Sequence, residues 1–276
     1  MGRTVTLTAR VRDRAGHTAV RTTQLTVPLL VGVDSPVGAE WTNTLAQYPG
    51  IVYTRDFGSG SPTNLTAFGA GKFAALPPNA IMHCSWKGNV EQLSTWMNTL
   101  NQRIYLTWYH EPMGDVDPAS YRATATRMAQ IIAAHPRRKW VLGHGPIVTR
   151  YWLDERAGNP ADWAYPGMTH YGIDCYQDTP TASSYWPASR MFGVTFDKVR
   201  AAYPGIRLWV PEYGITRLNS DTSGAGRAAA IRDHLAWLRG QQDVDAVAYF
   251  HNQAQFAKFA LTDTPSQQAW RDMQVA

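Results

Sequence analysis

Ile104-Tyr105-Leu106-Thr107-Trp108-Tyr109-His110-Glu111-Pro112-Met113-Gly114-Asp115-Val116-Asp117-Pro118 decides how the whole chain is read. Residues 104–110 are an unbroken apolar and aromatic run, the pattern of a strand buried on both faces of a parallel sheet. Asp117 is placed to cap a helix and Pro118 suits its first position. Tyr121, Ala125, Met128 and Ile132 then recur on one face, which predicts a helix over 118–134. The segment is one strand and one helix, with a carboxylate, Glu111, at the turn between them.

The same unit repeats outward in both directions. Apolar runs stand at 29–34, 51–55, 80–86, 104–110, 140–144, 171–176, 207–210 and 246–251. Helices are expected at 89–102, 118–134, 188–202, 224–239 and 265–273, and the Trp- and Pro-rich stretch 145–168 reads as a long loop. Eight strand–helix alternations predict an α/β fold, a (β/α)8 TIM barrel over 29–276. A doubly wound open sheet is the alternative, but Val31-Gly32-Val33-Asp34-Ser35-Pro36 lacks the Gly-rich phosphate fingerprint that often accompanies one. Residues 1–28 differ. Thr4–Val11 and Thr18–Val27 alternate polar and apolar around Asp13-Arg14-Ala15-Gly16-His17, which predicts a β-hairpin. It resembles the last strands of an immunoglobulin-like module, and the chain is expected to be part of a larger multidomain or virion tail protein.

Composition narrows the function. Apolar residues at 44% and charged residues at 17% exclude wholesale disorder. No apolar run is long enough for membrane insertion. The net charge of +5 comes from scattered basic residues rather than a clustered face, so nucleic acid is not an expected partner. Two cysteines, Cys84 and Cys175, lie in apolar runs and lack the spacing of a disulfide framework or a metal site. No cofactor is expected. The 11 Trp and 13 Tyr include several rings near strand ends, among them Trp86, Trp108, Trp152, Trp163 and Trp186. A sugar-binding cleft needs such flat, rigid surfaces for stacking.

Only five glutamates occur: Glu40, Glu91, Glu111, Glu155 and Glu212. Glu111 and Glu212 each end an aromatic strand, the fourth and the seventh by position. A barrel of this kind carries its active site at those strand ends. A lone strand-end glutamate can equally cap a helix or pair with an arginine; two on opposite sides of one mouth can flank a single bond.

That layout resembles the large clan of retaining β-glycosidases. His110-Glu111, where most of the clan has Asn-Glu, resembles glycoside hydrolase family 26, the β-mannanase family. Ser85-Trp86, Gly172-Ile173-Asp174-Cys175-Tyr176 and Glu212-Tyr213-Gly214 resemble further motifs of that family in the same order, over roughly residues 29–255. Lys87 stands where the family has His, and Tyr249-Phe250-His251-Asn252 lacks its Trp. The resemblance implies that Glu111 is the general acid/base and Glu212 the nucleophile of a double displacement, with carboxyl groups ~5–5.5 Å apart. It implies endo action on a β-linked polysaccharide, mannan-like or a bacterial cell-surface glycan, in an extracellular or virion-associated setting. Arg55 or Tyr176 is expected to hydrogen-bond Glu212. Substrate contacts are expected from Asp34, Arg55, His83, Trp86, His110, His144, Asp174, Tyr176 and His251, each of which could instead hold a structural hydrogen bond. Asp34, His83, His110, His144 and His251 could together point to a metal-dependent hydrolase, but no paired His motif supports this. A non-catalytic glycan-binding barrel of a phage tail or adhesion protein is the competing function.

Overall fold

The computed structural model of the chain describes residues 3–36, 38–58, 72, 75–252 and 258–274. Strands β1 (Arg3–Arg12) and β2 (Thr18–Val27) form an antiparallel hairpin. Its turn is closed by Asp13, which bonds the backbone and ring of His17 at 2.9 Å each, and by Gly16 at φ +90°. The hairpin is a two-stranded sheet of its own, with Leu7, Val11, Leu25 and Val27 exposed. Among the described residues no further strand joins it to make an immunoglobulin-like module.

Nine further strands follow: β3 (Leu30–Asp34), β4 (Tyr53–Gly58), β5 (Ile81–Trp86), β6 (Ile104–Trp108), β7 (Val141–His144), β8 (Ile147–Thr149), β9 (His170–Gln177), β10 (Arg207–Ile215) and β11 (Val244–Phe250). Seven α-helices accompany them among the described residues: α1 (Ala39–Gln47), α2 (Leu93–Met97), α3 (Pro118–Ala134), α4 (Arg150–Asp154), α5 (Val194–Ala202), α6 (Ala225–Gly240) and α7 (Thr264–Gln274). None is long and apolar enough to cross a membrane.

The expected single closed barrel is not what these strands make. They form two parallel sheets, β3-β11-β10-β9-β8 and β4-β5-β6-β7. The hydrogen-bonded ladder stops at two seams, and a glycine sits at each. At the β3/β4 seam a β-carbon on Gly32 would collide with the carbonyl of Tyr53. Thr54 Oγ1 donates to Val33 O there at 2.7 Å, a side-chain bond across the seam. At the other seam a β-carbon on Gly145 would collide with the carbonyl of His170. Beyond it β8 pairs with β9, Ile147 opposite Gly172. Both β8 and α4 lie inside the stretch 145–168 that the sequence pattern presents as a loop.

Between the sheets, Tyr53 (β4), Tyr105 (β6), Trp209 (β10) and Ala246 and Ala248 (β11) pack into a buried cluster. Helices cover the outer faces. α3 starts and ends where its caps predict: Asp117 accepts from Ser120 N–H at 2.8 Å, and Tyr121, Ala125, Met128 and Ile132 are buried. Because strands within each sheet are parallel, their C-terminal residues gather at one end, where Glu111 and Glu212 belong.

Candidate active site

Arg55 is the centre of the site. Side chains alternate along a strand, so Tyr53 and Arg55 of β4 face the same interior. Arg55 is fully buried, and its Nη1 reaches Asp174 Oδ2 at 3.0 Å and Glu212 Oε1 at 2.6 Å. Asp174, on β9, also accepts the Glu212 N–H at 2.9 Å. That donor is free because the β10 register shifts between Val210 and Tyr213, where Pro211 offers no N–H to the ladder. Tyr176 donates its hydroxyl to Glu212 Oε2. Both oxygens of Glu212 are therefore held, as the sequence leads one to expect of Arg55 and Tyr176.

Glu111 is presented differently. Tyr109 and Glu111 adopt φ of 54° and 48°, in the left-handed region that non-glycine residues avoid. Backbone bonds hold this turn on both sides, Tyr109 N–H to Trp86 O at 2.8 Å and Glu111 N–H to Ile147 O at 3.0 Å. Lys87 braces it, pairing with Asp115 at 3.2 Å and lying 4.4 Å from the centre of the Tyr109 ring. The half-buried Glu111 carboxylate has no hydrogen-bond partner among the described residues. Its charge acts on Glu212, Asp174, Arg55 and Tyr176, so Glu111 stands near the clamped glutamate at the same strand ends.

The electrostatics follow from one guanidinium serving two buried carboxylates. Burial pushes the Glu212 carboxyl up to about 7; Arg55 pulls it back and Glu111 adds to the rise. Burial raises Asp174 well above the usual carboxylate range, again against the pull of Arg55. Burial alone would loosen the proton of Arg55, but Glu212 and Asp174 hold it more firmly than usual. Burial, with Arg55 and Lys87 nearby, drives His110 down to about 2, so its ring is neutral.

Of the candidate residues, Asp34, Arg55, His110, Glu111, Asp174, Tyr176 and Glu212 converge. Asp34 pairs with Lys72 at 2.8 Å and adds its charge at Glu212. The others lie elsewhere. His83 is sealed between Tyr53 Oη and Thr107 Oγ1, both at 2.9 Å, against Trp209. Trp86 is buried against Trp96, and His144 bonds Tyr165 Oη at 3.0 Å. His251 accepts from Leu261 N–H at 3.1 Å and packs on Tyr48. Among the described residues no three potential ligands gather as a metal-binding group. Sequence reasoning missed Lys72, whose Nζ also reaches the carbonyls of Ser35 at 3.0 Å and Arg55 at 2.8 Å; a single lysine in a Gly-rich stretch carries no signal.

Residues 145–268 match the family model of the glycosyl hydrolase catalytic core. This core holds β8 to β11 and thus Asp174, Tyr176 and Glu212, while Arg55 and Glu111 come from the preceding sheet. The chain carries a glycoside hydrolase catalytic domain. No curated protein matches its sequence. Solved structures share the fold. A variant of an endo-β-1,3-glucanase of glycoside hydrolase family 128 from Amycolatopsis mediterranei superposes with TM-score 0.59 at 16% identity, covering 88% of this chain and 99% of that one. A family 128 endo-β-1,3-glucanase from Sorangium cellulosum gives 0.53 at 13%, covering 88% and 98%. A family 128 oligosaccharide-binding protein from Trichoderma gamsii gives 0.54 at 15%, covering 90% and 94%. These neighbours overturn the resemblance to family 26: the chain shares its fold with solved structures of family 128. Parts of the short motifs behind that resemblance report packing. Trp86 is buried against Trp96, and a side chain at Gly172 would strike Ile147.

Proposed function

We propose that the protein is a retaining endo-β-1,3-glucanase, with Glu212 as nucleophile and Glu111 as general acid/base. A clamped Glu212 with Glu111 nearby, the latter without a hydrogen-bond partner among the described residues, carries this reading. Glu212, ionised and oriented by Arg55 and Tyr176, attacks the anomeric carbon. Glu111 protonates the departing glycosidic oxygen. Glu111 then takes a proton from water, whose oxygen displaces Glu212 from the glycosyl-enzyme. The choice of β-1,3-glucan in place of mannan rests on the family 128 neighbours. The Amycolatopsis enzyme was solved with laminarin oligosaccharides in variants replacing either of two glutamates. Those two are spaced along their chain about as far apart as Glu111 and Glu212.

Incubation with laminarin should release reducing ends with retained anomeric configuration. Glu212→Ala should lower turnover by at least about 10³-fold, a loss in the upper part of the range for removing one reacting group. Inversion at the first-formed product, or an active Glu212→Ala, would refute the assignment. The second reading is glycan binding without cleavage, favoured by the Trichoderma gamsii neighbour and another from Cryptococcus neoformans. Tight binding of laminarin oligosaccharides without release of reducing ends would establish it.

A further inference from the structure

We propose that Phe57, together with the edge of His110, is the wall on which a pyranose ring of the substrate stacks beside the scissile bond. This rests on the glycosidase reading above and names a contact within that site. Along β4, Tyr53, Arg55 and Phe57 share one face and climb from floor to mouth, their exposure running 0%, 0% and 44%. Arg55 holds Glu212, so the next side chain on that face stands over the nucleophile's clamp; the Phe57 ring centre is 5.4 Å from the Arg55 guanidinium carbon. On its other side the ring meets His110, the residue before Glu111, at 5.0 Å between ring centres. One ring thus touches the neighbours of both carboxylates.

Its mounting is rigid. Phe57 pairs with Ser85 in the ladder, and its N–H is bonded by Asp56 Oδ1 at 2.8 Å. An exposed phenyl group on a strand end leaves apolar surface in water. Among the described residues the other strongly exposed aromatic side chain, Tyr151, is engaged by Arg156 at 2.8 Å. The C–H face of a pyranose is the matching cover for Phe57. His110 backs the ring on that side, its Nδ1 buried and without a hydrogen-bond partner among the described residues. A flat apolar ring flanked by a neutral imidazole suits a sugar, which is apolar on its faces and polar at its rim.

The test compares Phe57→Ala and Phe57→Tyr with the parent, in the active enzyme for kcat and KM on laminarin. In a Glu212→Gln background it uses calorimetric titration with laminari-, cello- and manno-oligosaccharides. The Ala variant should keep the parent's Tm but raise KM and weaken oligosaccharide binding roughly ten-fold, the size expected for one ring. The Tyr variant should restore both. Unchanged affinity in Phe57→Ala would overturn the proposal while laminarin cleavage leaves the enzymatic reading standing. Binding without cleavage by the parent would sink the enzymatic reading, and the same affinity ratio would still judge Phe57. Failure of the parent to bind any of the three series would overturn both.

Discussion

Arg55 shows how much of a site can depend on one side chain. It balances two buried carboxylates, so removing it strands both in a low-dielectric interior. Breaking such an arrangement costs about 3–5 kcal/mol. Arg55→Met should therefore lower the Tm sharply and leave only residual turnover, while Arg55→Lys keeps a cation and part of both. The pH profile follows from Glu212, pushed up to about 7 by burial. The nucleophile must be ionised, so kcat/KM should fall as pH drops through the region of 7. Residual activity in Arg55→Met should show that limb moved to higher pH. Measured profiles of both variants check the sign. At this scale the two glutamates stood out because glutamates are scarce here and these two end aromatic strands. The fate of the candidate histidines was not legible, since a strand-end histidine looks the same whether it borders the site, like His110, or, like His83, lies locked between Tyr53 and Thr107.

At the scale of elements, the turn after β6 concentrates the strain. Two residues in left-handed backbone persist only because Trp86, Ile147 and the Lys87–Asp115–Tyr109 cluster hold them. Lys87→Met should reduce kcat about ten-fold, a cost of the order expected for releasing a strained turn. KM should change little and Lys87→Arg should recover the loss; steady-state kinetics of the three proteins decide it. The seams make a second test. Gly32→Ala forces a methyl group against the carbonyl of Tyr53. Denaturant titration should show a loss of roughly 3 kcal/mol or more, at the top of the range for overpacking. Helix α3 was readable to the residue because Asp117 and Pro118 mark its start. β8 and α4 were not, being three and five residues long, too short for any period. Tertiary partners hold them instead, Ile147 against Gly172 and Arg150 in contact with Glu155 and Trp186.

Across the whole molecule, the order of parallel strands could be foreseen but their closure could not. Apolar runs tell which residues become strands; whether neighbouring N–H and C=O groups align depends on backbone approach at Gly32 and Gly145. The histidines give the molecule-wide prediction. Burial lowers His83, His110, His144, His234 and His251, with His110 held at about 2 and His144 and His251 at about 4. Unfolded histidines take protons below ~6.5, and these native ones do not. The unfolded state then binds more protons, so stability is full above ~6.5 and is lost as pH falls, by about 1.5 kcal/mol at pH 5.5 for each of His110, His144 and His251. Glu212 and Asp174, raised by burial, work in the opposite direction but are outnumbered. Calorimetric scans should show Tm declining from pH 7 to 5.

The division into two sheets bears on the chemistry itself. Glu111 rides on one sheet and Glu212 on the other, so their spacing works like the jaws of a calliper whose screw is Arg55, bridging to Asp174 and Glu212 across the gap. Retention and inversion differ by only about 1–4 Å in that opening. Slack at the glycine joints would alter not merely how fast a glycan is cut but which anomer leaves.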